Sequence, residues 1–178
     1  MLPSPLQLID AVFLNFDVKP RIDPNIFGGR EIFEPFSFNR TNILTQIDQS
    51  LAEDKTDENF TVLLVKLTIE LKDEGENPPP YVCNVSCVGY FAISKLAFPD
   101  ETRRIDTGVV NGASILYGMI REKIADFTAR SWYGMMTLPT GNFSDMAPSS
   151  FNKGETATPK EMNTESKPRK TKKSIQKP

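Results

Sequence analysis

Between residues 61 and 72 apolar and polar side chains alternate almost without a break. Leu63, Val65, Leu67, Ile69 and Leu71 share one face, and Lys66, Thr68, Glu70 and Lys72 the other, after a more apolar start at Val62 and Leu64. A period of two with one polar face predicts an antiparallel strand buried on one side. Asp73-Glu74-Gly75-Glu76-Asn77 and then Pro78-Pro79-Pro80 end it, because prolines cannot donate ladder hydrogen bonds. A second strand is predicted over 81–94, with Tyr81, Cys83, Val85, Cys87, Phe91 and Ile93 on one face and Asn84, Ser86, Tyr90 and Ser94 on the other. The two make a long hairpin. Nearer the start, residues 6–18 read as a strand with Leu8, Val12, Leu14, Phe16 and Val18 on one side. A fourth, over 32–47, is less regular: Phe36 and Phe38 alternate but Pro35 interrupts, which predicts an edge position. Pro20, Pro24, Gly28 and Gly29 make the stretch before it a loop.

After Pro99 the period changes. Ala113, Leu116, Tyr117, Ile120, Ile124 and Phe127 recur at three and four residues, one face of a helix over 107–133. Ile115 and Met119 widen the stripe, while Arg121, Glu122, Lys123 and Asp126 gather on the solvent side. Such a helix is about 40 Å long at 1.5 Å per residue. That exceeds what a small sheet needs for cover, so either the helix overhangs or a second copy covers it. The predicted class is therefore α+β: a four-stranded antiparallel sheet followed by a long helix, packing into an oligomer. The domain spans 1–146. From 147 to 178 the chain is Ser, Thr, Pro, Glu and Lys with almost nothing apolar. Such a segment cannot offset its ordering entropy and is expected to be a disordered, Lys-rich tail.

Charge sharpens that division. Lys153 to Pro178 carries eight Lys or Arg and three Glu, leaving 13 basic and 20 acidic residues in 1–152. The net charge of −2 argues against a nucleic-acid protein as a whole. The basic run at 167–173 is read as a solvating extension, with an anionic partner as the sharper alternative. The chain has no His, which removes imidazole acid–base chemistry and most catalytic zinc sites. Gly28-Gly29 leads into a strand pattern and not a helix, so no phosphate loop is present. No catalytic residue, metal site or cofactor is expected, and the chain does not read as an enzyme. Cys83 and Cys87 lie about 13 Å apart at strand rise, too far for a bridge or a shared metal. Two such cysteines, no secretory leader and no long apolar run predict a cytoplasmic protein without stable membrane insertion.

Binding residues are sought among the aromatics. Tyr90, Phe91, Trp132 and Tyr133 are candidates, as is Tyr81, and the crossover after the hairpin adds Leu96 and Phe98 in a loop with Pro99. Met119, Met135 and Met136 can supply adaptable contacts. For each of these residues plain core is the competing reading. Arg121-Glu122 reads as a clamp on a neighbouring subunit or as a solvated helix pair.

An ordered set of motifs then resembles the SecB family of export chaperones. Ile115-Leu116-Tyr117-Gly118-Met119-Ile120-Arg121-Glu122-Lys123-Ile124 is similar to the family's long first helix, with Gly118 where the family has Pro. Thr128 stands where Ser or Thr is common. Leu138-Pro139 followed by Asn142-Phe143 resembles the turn into its second helix, which Pro148 cuts short here, and Gly89-Tyr90-Phe91-Ala92-Ile93 resembles its last strand. The resemblance covers about four-fifths of the chain. It implies a homotetramer, a dimer of dimers, whose helix interface would fall on Leu116, Tyr117, Ile120, Ile124 and Phe127. It makes Asp17 the nearest candidate for contact with the SecA motor. It implies an ATP-independent holdase that binds unfolded or precursor polypeptides through an apolar groove and keeps them competent for export and translocation. SecB-like chaperones dedicated to a single partner, such as an antitoxin, are the alternative.

Overall fold

A computed structural model describes residues 4–21, 36–52, 58–74 and 76–151. Strands β1 (Leu6–Pro20), β2 (Ile43–Leu51), β3 (Phe60–Leu71) and β4 (Tyr81–Ser94) precede helix α1 (Glu101–Thr128). A 3-10 turn at Ser144–Met146 and a short helix α2 (Pro148–Phe151) follow. The strands form one antiparallel sheet in the order β1-β4-β3-β2, so β3 and β4 are central and β1 and β2 are edges.

The β3–β4 hairpin has the register that its alternation requires. Leu63 faces Phe91, Leu67 faces Cys87, Ile69 faces Val85 and Leu71 faces Cys83. These side chains are fully buried beneath α1, which lays Val109, Ala113, Leu116, Ile120 and Ile124 on them. Gly108 allows the closest approach: a Cβ there would lie 2.3 Å from Ile93 Cδ1 and 2.8 Å from Leu63 Cδ2.

Three boundaries differ from the sequence expectation. β1 does not keep one alternation, because its register against β4 slips between Leu8 and Asp10 and again between Phe13 and Asn15. Each bulge inserts one residue and changes which side chains share a face. Leu8, Phe13, Phe16 and Val18 lie on the covered side. Val12, opposite Val88, lies on the open side, and Ile9 and Leu14 are the inserted residues. β2 is an edge strand, but it begins only at Ile43. Before it, Phe36 and Phe38 pack edge to face with centroids 5.0 Å apart, and Asn77 ties this stretch down by donating to the Ser37 and Asn39 carbonyls. The predicted strand start at 32–35 lies outside the described residues, as does the Gly28-Gly29 loop.

Helix α1 starts earlier and ends earlier than its apolar period suggests. Asp100 caps it, its Oδ1 accepting from the Arg103 amide at 2.7 Å. At the other end, the buried Thr128 hydroxyl donates to the Ile124 carbonyl and accepts from the Met136 amide at 2.8 Å. That bond folds the chain back on itself, and Gly134 at φ +76 completes the reversal in a backbone region that favours glycine. The described chain continues past 146. α2 sits against α1 because the Asp106 carboxylate accepts from the Ser149 amide at 3.0 Å and from its hydroxyl at 2.5 Å. The Lys-rich tail from 152 lies outside the described residues.

Candidate functional site

The open face of the sheet changes character along its length. Toward one end, Asn15 donates to the Asn84 carbonyl at 2.9 Å, Thr68 and Ser86 share a hydrogen bond at 3.0 Å, and Lys66 pairs with Asp48 at 3.3 Å. Lys19 pairs with Asp17 and Lys72 with Glu70. The polar groups there satisfy one another. Toward the other end come the pairs Val12–Val88, Leu64–Tyr90 and Val62–Ala92, with Lys66 beside Val88 and Asp10 beside Tyr90.

That apolar end continues around the β1 edge. Ile9 and Leu14, the two bulge residues, are each 58 % exposed, and Val12 between them is 46 % exposed. At the C-terminal half of β1, Phe13, Phe16 and Phe127 form an edge-to-face series, with centroids 6.1 and 5.5 Å apart. Phe127 is half exposed. β1 outlines a track roughly 50 Å long at ~3.3 Å per residue. Near its start stand exposed Phe60 and Leu96, the last 93 % exposed; near its end stand exposed Trp132 and Met135, and exposed Leu51 ends β2 on the far edge. The other edge is different: the middle of β2 presents Gln46, Asp48, Gln49 and Ser50.

The predicted binding residues separate into groups. Tyr90 lies half-buried on the open face; Leu96 stands out from the crossover turn, and Phe98 rests half-buried against the core. Trp132 and Tyr133 lie at the opposite end of the sheet. Tyr133 is held there: its ring packs edge to face on Tyr81, its amide donates to the Tyr81 hydroxyl at 3.0 Å, and its hydroxyl donates to the Arg21 carbonyl. Phe91 is a correction. It is 0 % exposed, opposite Leu63 beneath α1, and cannot meet a ligand while helix and sheet stay together. The implied oligomer stripe is corrected for the same reason. Leu116, Tyr117, Ile120 and Ile124 are buried against the chain's own sheet, and of that set only Phe127 remains accessible. Asp17 lies on the open face opposite Asn84, its carboxylate 2.8 Å from Lys19 Nζ.

The motif residues turn out to hold the return segment onto α1. The Tyr117 hydroxyl donates to the Pro139 carbonyl at 2.5 Å, and Arg121 Nε donates to the Leu138 carbonyl at 2.7 Å. Leu138 and Phe143 are buried, Phe143 packs on the Tyr117 ring at 5.4 Å, and Asn142 Oδ1 accepts from the Ser144 amide and hydroxyl. Arg121 is thus an internal clasp. Sequence reasoning missed Ile9, Leu51 and Phe60 as exposed apolar residues. Alternation alone carries no signal for a bulge, nor for which end of a hairpin is left uncovered.

Burial sets the chemistry of the remaining titratable groups. It pushes the Cys83 thiol up to about 12 and the Tyr117 hydroxyl up to about 12, and it raises Cys87 and Tyr81 as well. The thiols are therefore protonated, and both are free and buried. Among the described residues no cluster of His, Cys, Asp and Glu could hold a metal ion, and no helix is long and apolar enough to cross a membrane. What the surface offers is non-directional apolar contact along a strand edge.

No family model matches the sequence, and no curated protein matches it. Several solved structures are similar, these two among them. One is a protein of unknown function from Streptococcus agalactiae, with 15% identity, covering 75% of this chain and 96% of that one at a TM-score of 0.50. The other is a SecB-like chaperone of Mycobacterium tuberculosis in complex with a peptide from an antitoxin, with 15% identity, covering 77% of this chain and 88% of that one at a TM-score of 0.46. Such likenesses concern the fold alone. Four antiparallel strands, a crossover turn, one long helix on one face, and a return segment pinned through Leu138-Pro139 and Asn142-Phe143 give the chain an α+β fold like that of the Streptococcus agalactiae protein.

Proposed function

We propose that the chain is a non-catalytic, ATP-independent chaperone that holds extended polypeptides against the apolar track along β1. The observation that carries this reading is the exposure of Ile9, Val12 and Leu14 on a 15-residue edge strand. Long apolar edges favour pairing and aggregation, and proteins ordinarily blunt them with charge, as the middle of β2 does here. A surface that must accept many sequences cannot demand placed polar partners. Weak contacts spread along its length bind through multivalency. The motif set from 85 to 143 supports the same reading. Its clients are unfolded or precursor polypeptides, and four copies assemble, by that resemblance, in the cytoplasm. With Leu116, Tyr117, Ile120 and Ile124 buried, the outer side of α1 around Ile115 remains for contact between copies.

The test is native mass by light scattering, with and without a chemically unfolded protein, beside suppression of that protein's aggregation at equal molar amounts. Assembled copies that take up the unfolded chain are expected. A monomer that ignores it and leaves aggregation unchanged would sink the proposal. Retention of one folded or peptide partner alone would instead mark a dedicated chaperone, and its capture of an antitoxin or of SecA would decide the pathway.

A further inference from the structure

Arg104 occupies the first turn of α1 and is 9 % exposed. Its Nη1 donates to the Phe98 carbonyl at 2.8 Å, which folds the guanidinium back over the start of the helix. Its Nε is buried and has no hydrogen-bond partner. Among the described residues no carboxylate forms an ion pair with it: of the acids nearest in sequence, Asp106 accepts from Ser149, Asp100 accepts from the Arg103 amide, and Glu101 is exposed. A buried cation without a counter-charge is costly, and a buried donor left unmade adds to that cost. Here both sit at the amino end of a 28-residue helix, where the backbone dipole also favours negative charge. With Nη1 engaged, the Nε side of the guanidinium is the edge that takes a carboxylate in a two-bond fork. Leu96, 93 % exposed, projects from the turn just before Phe98.

We infer that the start of α1 binds a carboxylate of the held polypeptide through Arg104, with Leu96 receiving an adjacent apolar side chain. The inference rests on the proposed holding of polypeptides and adds a preference: apolar segments that carry an acidic residue bind more tightly than those without one. Nε is sealed beneath the crossover turn, so the turn at Lys95 to Ala97 shifts as the carboxylate enters.

The test uses the full chain and two short Leu- and Phe-rich peptides, identical except that one carries a single Asp where the other has Asn. The Asp peptide is expected to bind about tenfold more tightly, the difference one charge-assisted fork supplies. Arg104→Met should erase that ratio while leaving the Asn peptide unchanged. Arg104→Lys, which keeps the charge and loses the fork, should retain part of it and covers the case in which the Met variant does not fold. Equal binding of the two peptides by the unaltered chain overturns the inference alone. Failure of both peptides to bind removes the holding function and the inference with it. Inorganic phosphate that raises the melting temperature while both peptides bind equally would make this a free-anion site, and that outcome also overturns the inference.

Discussion

The two faces of the sheet are made by the same strands and share one set of backbone hydrogen bonds, yet they do opposite things with their side chains. On the covered face Leu63, Leu67, Ile69, Val85 and Phe91 are sealed beneath α1. On the open face the polar rows pair among themselves, and Val12, 46 % exposed, beside half-buried Val88 brings apolar surface to the β1 edge. The first face carries stability, and the proposed function assigns binding to the second. The lesson is that a run of apolar residues in a strand does not say which of these two tasks it serves.

The strongest way to break that contrast is to truncate on each face. Phe91→Ala should cost about 3–5 kcal/mol, because a large buried side chain leaves a cavity, whereas Val12→Ala should stay within about 0.5 kcal/mol. Urea midpoints for the two variants check this, and similar losses would mean that the open face is covered too. A second contrast uses glycines of α1. Gly108→Ala drives a Cβ into Ile93 and should lose roughly 1–3 kcal/mol through overpacking. Gly118→Ala, with nothing within 4 Å, should gain up to about 1 kcal/mol from helix propensity. Thermal unfolding of the pair should move in opposite directions.

Thr128→Val leaves the Met136 amide without its acceptor and should cost about 1–3 kcal/mol, read by denaturant titration. Alkaline pH attacks the covered face selectively. The Cys83 thiol is raised from 9.0 to about 12, so the folded state keeps a proton that the unfolded state has released. Its contribution is whole below pH ~9 and is lost as pH rises toward about 12; Tyr117, raised from 10.0 to about 12, acts in the same direction over a narrower window. Melting temperatures that do not fall over that range would contradict the burial of both groups. The smallest effect on stability is expected at Leu14→Lys, within about 0.5 kcal/mol for an exposed site, but the same change should weaken capture of an unfolded client severalfold. Unchanged capture would move the binding surface away from β1.

Much of this architecture was legible before any coordinates. The alternation in 61–72 and 81–94 assigned each side chain of the central hairpin to its correct face, since a fully paired strand has no freedom but its period of two. The helix stripe was legible as well, but not what it met: Leu116, Tyr117, Ile120 and Ile124 are apolar whether they pack on a sheet or on a second copy. The motif residues Arg121, Leu138 and Asn142 marked the fold without revealing that the first two hold the return segment in place and that Asn142 caps the turn at Ser144.

The sequence by itself determined the central hairpin, the first strand, the long helix and the absence of imidazole chemistry, but misplaced the fourth strand, because local period and composition depend on neighbours along the chain. Tertiary structure decided the rest. The bulges at Ile9 and Leu14 exist only relative to β4, the end of α1 is set by Thr128 meeting Met136 eight residues on, and the isolation of Arg104 depends on where the crossover turn lies. Each is a matter of pairing between distant segments, and the identity of a residue does not encode which partner it lacks.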